Sequence, residues 1–236
     1  MTHAETVDPT SSATPCPAQP TTTTLLSRNE IETLCLKAAR GAGMDWGLAE
    51  EAGIAAGWLA VRGIDGAGAL LAHLQRPVPC IIAVRDRHWQ ATGGAALCPI
   101  LLGAALDDHA ALEAGPWSAP ITIKAVSHPI LLVPFLARAA QIRVKSLGLA
   151  WSGGVAKILA SGEVEPTALA ALSGLEVTAL SLSATSDTAR HTAIETAIAS
   201  LSAATLAGLN TLALRTTVPA SDTSRRGAGA AASDND

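Results

Sequence analysis

Ile121-Thr-Ile-Lys-Ala-Val126 alternates apolar and polar side chains, whereas Ser27-Arg-Asn-Glu-Ile-Glu-Thr-Leu-Cys-Leu-Lys-Ala-Ala-Arg40 repeats apolar residues three and four apart. The first pattern is that of a half-buried strand, the second that of an amphipathic helix. Helical patterns fill residues 25 to 76, and strand patterns dominate from about residue 80. That segregation predicts an α+β fold rather than a regular strand–helix alternation.

Upstream, Ser27 and Glu30 form an S-x-x-E capping box. Ile31, Leu34, Cys35, Ala38 and Ala39 follow on one face, and Gly41 and Gly43 should end this helix. A second helix starts near Asp45 and runs through Trp46, Leu48, Ala52, Ile54, Ala55, Trp58 and Leu59 to a stop at Gly63. A third runs from Gly66 or Ala67 to Gln75, closed by Pro77 and Pro79.

Downstream, Cys80–Arg85 and Leu97–Leu106 are short aliphatic runs expected to be strands. Pro129–Gln141 contains Pro134 and is either a kinked helix or a strand followed by a helix. Ile142-Arg-Val-Lys-Ser-Leu147 alternates again. Trp151-Ser-Gly-Gly154 is expected to turn a hairpin that returns through Val155–Ala160. Pro166–Leu172 reads as a short helix and Leu175–Ser183 as a strand. Ile194, Ile198, Leu201, Thr205 and Leu209 form a final helical stripe beginning near Asp187.

The expected architecture is therefore an N-terminal three-helix unit (25–76), a central mixed or antiparallel sheet (80–185) and a long C-terminal helix (187–214). Together they make one α+β domain over 25–218. A Thr/Pro-rich leader (1–24) and a Ser/Gly/Ala-rich tail (219–236) flank it, with too little apolar surface to offset ordering.

Composition narrows the function classes. The chain has 236 residues, 49% apolar and 15% charged, with formal net charge −4. Lys and Arg form no run, Tyr is absent and Phe occurs once, which speaks against a nucleic-acid surface. Stretches such as Ile130–Ala140 are shorter than the roughly 20 residues of a membrane span. The leader lacks the basic start and apolar core of a signal peptide. A cytoplasmic protein without a membrane or nucleic-acid partner is expected. Cys16, Cys35, Cys80 and Cys98 lack C-x-x-C spacing and read as small apolar residues, although Cys35, Cys80 and Cys98 formally supply zinc ligand types.

Several sites suggest themselves, each beside a plainer alternative. Arg40, Gly41, Gly43 and Asp45 form a glycine joint that could present the second helix's N-terminus to an anion, or simply turn a tight corner. Arg62 and Asp65, among Gly63, Gly66 and Gly68, could hold a ligand or supply a helix stop and the next cap. Asp107-Asp108-His109 with His128 has metal-ligand residue types, but an exposed polar turn is the simpler reading. His73 and His88 stand isolated in sequence. Ser152-Gly153-Gly154 could make an anion nest or only a hairpin turn. Arg225 and Arg226 lie in the tail, which is either solvated or folds back to clamp a carboxylate or phosphate.

Leu26-Ser-Arg-Asn-Glu-Ile-Glu32, Lys37-Ala-Ala-Arg-Gly-Ala-Gly43 and Trp46-Gly-Leu-Ala-Glu-Glu-Ala52, with the tail motifs Val218-Pro-Ala-Ser, Ser224-Arg, Gly227-Ala-Gly and Ser233-Asp-Asn-Asp, resemble a bacterial domain of unknown function, DUF3726. That resemblance brings no activity, cofactor or catalytic residue. Arg62-Gly-Ile-Asp-Gly-Ala-Gly-Ala-Leu-Leu71 and the preceding helices are similar to the opening of type-2 malate/L-lactate dehydrogenases, which move hydride between nicotinamide cofactors and 2-hydroxy acids. Those enzymes carry Ser-His-Gly where this chain has Gly66-Ala67-Gly68, so the usual active-site His is absent.

The leading expectation is an accessory or ligand-binding protein of small-molecule metabolism. The alternatives are an enzyme on small carboxylates, possibly NAD(P)-linked, and a structural chain that forms a homo-oligomer or joins a partner enzyme. The ligand-binding residues expected are Arg40, Gly41, Gly43, Asp45, Arg62, Asp65, Arg225 and Arg226.

Overall fold

A computed structural model describes residues 23–76, 81–110, 112, 115–186 and 195–217. It begins with a strand, β1 (Thr23–Ser27), that leads into α1 (Arg28–Gly41). Ser27 is the cap: its Oγ accepts from the Glu30 N–H, and its own N–H donates to Glu30 Oε2 at 2.8 Å. Ile31, Cys35, Ala38 and Ala39 are buried, the face the spacing predicts. α2 (Trp46–Ala60) buries Ala49, Ala52, Gly53, Ala55, Ala56, Gly57, Leu59 and Ala60, small side chains that let α1 come close. At Gly53 an added Cβ would lie 2.5 Å from the Glu32 carbonyl. α3 (Gly66–Gln75) starts where Asp65 Oδ1 accepts from the Gly68 N–H at 2.7 Å. The three-helix opening is as expected.

The rest is built on a six-stranded sheet. β2 (Ile82–Arg85), β3 (His88–Ala91), β4 (Ile121–Ser127), β5 (Leu147–Trp151), β6 (Gly154–Ile158) and β7 (Val177–Ala184) take the order β2-β3-β4-β7-β5-β6. The β3–β4 pair is parallel and the other pairs are antiparallel, so the sheet is mixed. Ser152 and Gly153 turn the β5–β6 hairpin, with Gly153 at φ 102°. Alternation buries Ile121 and Ile123 of β4, and a register shift between Ile123 and Val126 brings Val126 inward as well. A second sheet pairs β1 antiparallel with β8 (Ile198–Ser202).

Four expectations need correction. Leu97–Leu106 is not a strand: α4 occupies Pro99–His109, because Pro99 presets the backbone of a first helical turn and needs no N–H partner there. Only Leu97 keeps strand character, bridging to Val126. Pro129–Gln141 has no kink, since a 3-10 turn (Pro129–Leu132) precedes α5 (Val133–Arg143) and places Pro134 in its first turn. Ile142–Leu147 is not a strand throughout: α5 continues to Arg143, Val144 turns at φ 51°, and β5 begins at Leu147. The long helix over 187–214 is a strand followed by α7 (Ala203–Ala213), because pairing with β1 claims 198–202 and Ser202 caps the helix from Thr205 N–H at 3.0 Å. The part of that expectation over 187–194 lies outside the described residues.

α6 (Pro166–Ser173) matches its expected place. α2 touches α1, α3, α4 and α5, so one apolar core joins the N-terminal helices to the sheet's helices. Arg138 of α5 fastens that junction, reaching Glu51 of α2 at 2.9 Å and Asp107 of α4 at 2.5 Å. Asp107–His109 is thus the last turn of α4, not a turn after a strand. Among the described residues no helix is long and apolar enough to cross a membrane.

Candidate active-site cleft

Two backbone hydrogen bonds place the thiol of Cys98. Leu97 N–H donates to the Ala125 carbonyl at 2.9 Å, and Ser127 N–H donates to the Leu97 carbonyl at 3.0 Å. They splice the entry to α4 onto the end of β4, so Cys98, the residue before Pro99, sits beside Ser127 and His128. A third bond, from His128 N–H to the Glu176 carbonyl at 2.7 Å, holds the entry to β7 against the same point.

α3 lies over this junction and contributes His73, which is 8% exposed. Its Nε2 is 3.3 Å from Cys98 Sγ and its Nδ1 is 3.2 Å from Ser127 Oγ. Ser127 Oγ is in turn 2.8 Å from His128 Nδ1. The two imidazoles meet edge-on, with centroids 6.0 Å apart. These four residues line a cavity of about 130 Å³ with Arg76 and Glu176 at its rim. The rim pair is 3.2 Å apart, and its side chains are 74% and 73% exposed.

Burial, and then the nearby His128, push His73 down to about 4, so it is neutral at neutral pH. His128 is also held below its ordinary value, chiefly by burial, with Glu176 pulling up and Arg76 pushing down. A neutral imidazole has one donor and one acceptor nitrogen, so His73 can accept from one neighbour while donating to the other. His128 sits at φ 44°, ψ 62°, a left-handed conformation that a non-glycine residue adopts at a cost of about 1–3 kcal/mol. In that conformation its ring faces Ser127 Oγ. Cys98 stands at the N-cap of α4, where the helix dipole favours negative charge. A cysteine, a neutral base and a hydroxyl bridge in one small cleft make an arrangement suited to moving protons and to nucleophilic attack.

The residues singled out from sequence fall elsewhere. Arg40 donates to the Met44 carbonyl and stands 5.7 Å from the Trp46 ring centre, both at the α1–α2 corner. Gly41 ends α1, and a Cβ there would overlap the Leu212 carbonyl of α7. Gly43 takes φ 94°. Asp45 precedes α2, exposed and without a side-chain cap bond. Arg62 stacks 3.7 Å over Trp58 and pairs with Glu195 at 2.5 Å. Asp65 caps α3 and borders a separate groove beside β8. Arg62 and Asp65 therefore serve different neighbours. Arg225 and Arg226 lie outside the described residues.

The cleft itself escaped the sequence reading, in which His73 stood alone, Cys98 was a small apolar residue and His128 went with Asp107. The available signals were Leu-Cys-Pro99, which marks a cysteine at a helix cap, and Ser-His-Pro129 at a strand end. Neither says that the two meet. Among the described residues no three His, Cys, Asp or Glu side chains gather to hold a metal ion.

Residues 26–99 match the family model described as Protein of unknown function (DUF3726). The resemblance to DUF3726 is borne out over that span. The matched segment holds α1, α2, α3, β2 and β3 and supplies His73 and Cys98 to the cleft. Ser127 and His128 come from beyond it, as do the tail motifs. Neither a curated protein nor a solved structure matches the chain.

Proposed function

We propose that this chain is a ligand-binding protein of small-molecule metabolism whose cleft at His73, Cys98, Ser127 and His128 takes a small carboxylate. The convergence of those four side chains in one small cavity supports the reading. A cavity of about 150 Å³ accepts a molecule the size of benzene, so about 130 Å³ suits a ligand of some six non-hydrogen atoms. Arg76 is the cation at its mouth. Its bond to Glu176 is between two largely exposed side chains, a pairing worth about 0–1 kcal/mol, so a ligand carboxylate can replace Glu176 at little cost. Cys35, buried and outside any disulfide, suits a reducing cytoplasm.

The contact between Cys98 Sγ and His73 Nε2 favours a second reading, an enzyme acting on the same small carboxylates. Thermal melts against 2-hydroxy, 2-oxo and amino acids, with and without nicotinamide cofactors, test both. A carboxylate that raises the melting temperature of the wild type but not of Arg76→Gln supports the site. No shift with any carboxylate refutes it. Turnover of the bound acid decides for the enzyme.

A further inference from the structure

We infer that Cys98 is a reactive thiol, and that His73 and Ser127 relay its proton to His128. The inference rests on the cleft being open to small molecules, but not on which carboxylate enters.

The hydrogen-bond chain fixes the bookkeeping. In the tautomers we assign to these contacts, Cys98 Sγ–H donates to His73 Nε2, and His73 Nδ1–H donates to Ser127 Oγ. Ser127 Oγ–H then donates to His128 Nδ1. Moving each proton one place leaves a thiolate at Cys98, a neutral His73 with its proton on Nε2, an intact serine hydroxyl and a protonated His128. His128 then loses its Nε2 proton to water. One proton has gone from sulfur to solvent, and nothing has been oxidised or reduced.

Each member suits its place. His73 is too buried to keep a charge, so it hands on one proton as it takes another. Ser127 Oγ can accept and donate at once, which a relay requires. His128 is less buried and faces Glu176, whose carboxylate favours its protonated form, against Arg76, which opposes it. No other titratable group of α3, the β4 end or the β7 entry is needed. After the shift, His73 Nε2–H donates to the thiolate, a charge-assisted bond in a part-buried site. The first turn of α4, an eleven-residue helix, adds to the stabilisation of that anion.

Such a thiolate would attack a small electrophilic carbon, such as one next to a carbonyl and bearing a leaving group. The sulfur pair forms the S–C bond, and the leaving group departs with the electrons of the bond that breaks. Iodoacetamide is small enough for the cleft and releases iodide in that step.

The test is iodoacetamide labelling of the full chain from pH 5 to pH 10, followed peptide by peptide by mass spectrometry. Cys98 of the wild type is expected to react at least about tenfold faster at pH 7 than Cys98 of Ser127→Ala. The midpoint of its pH profile should also lie lower. Ser127→Thr, which keeps the hydroxyl, should restore both. An unchanged rate and midpoint in Ser127→Ala overturns the relay. A wild-type Cys98 no faster than a small free thiol at pH 7 overturns the reactive thiol. If Ser127→Ala unfolds, shown by labelling of buried Cys35, His128→Gln carries the same expectation and the same refutation. Failure of the carboxylate melts leaves this labelling unaffected, so the two readings fail separately.

Discussion

Arg138→Met removes the cation that joins α2, α4 and α5 while keeping a stem of similar length beside Phe135. Arg138 gives two bonds to Asp107 Oδ2, from Nε at 3.0 Å and Nη2 at 2.5 Å, and one to Glu51 Oε2 at 2.9 Å. The side chains of Arg138, Glu51 and Asp107 are 37%, 29% and 20% exposed. A wholly exposed pair contributes about 0–1 kcal/mol, and stripping one partner from a buried pair costs about 3–5 kcal/mol. This site lies between those limits, so the variant should lose about 2–3 kcal/mol at pH 7. The pH dependence follows from Asp107. Burial pushes it above its ordinary value, Arg138 pulls it down, and Glu51 and Asp108 push it up. A carboxyl raised on folding gives most stability when protonated, below its unfolded value, and that contribution is lost as pH rises through the folded value. Without Arg138 the folded value moves higher. The variant's penalty should therefore be largest near neutrality and shrink as falling pH protonates Asp107. Urea unfolding of both proteins at pH 7 and pH 4.5 measures this, and contributions common to the two chains cancel. A loss below about 0.5 kcal/mol at pH 7, or an equal loss at both pH values, would refute the clamp.

Two further outcomes are expected. Gly41→Ala should cost about 2–3 kcal/mol in thermal or urea unfolding, because its Cβ meets the Leu212 carbonyl and a backbone cannot rotate away; a neutral effect would mean that α1 and α7 are not packed this closely. His73, pushed down to about 4 from its unfolded value, makes the native protein less stable as pH falls from about 6.5 toward 4, by at most about 3 kcal/mol. His73→Gln should flatten that fall, and an unchanged pH–stability curve would place the imidazole in water.

Local rules made much of the fold legible. The Ser27–Glu30 box, the apolar face of α1 and the glycines between α2 and α3 are short-range signals, and each element lies where they point. Where the reading failed, a long-range contact or a proline role won. Leu97–Leu106 has strand-like composition, but Pro99 favours a helix start and only Leu97 reaches a strand. Ile198–Ser202 continues a helical stripe, yet it pairs with β1, 171 to 179 positions away in register. The stripe had no means of showing a partner at the other end of the chain.

The candidate site divides in the same way. Sequence alone determined the residue types: a cysteine before a proline, a serine and histidine before another proline, and a histidine near the end of a short helix. It also determined the composition that leaves nucleic acid and a helical membrane span without support. Only the tertiary structure brought Cys98, Ser127 and His73 together, across separations of 25 and 54 positions. The physical reason is that these residues touch through the Leu97–Val126 bridge and the packing of α3, and neither leaves a periodic mark on the chain. Burial, which makes His73 a neutral relay rather than a surface cation, is likewise a property of the assembled fold.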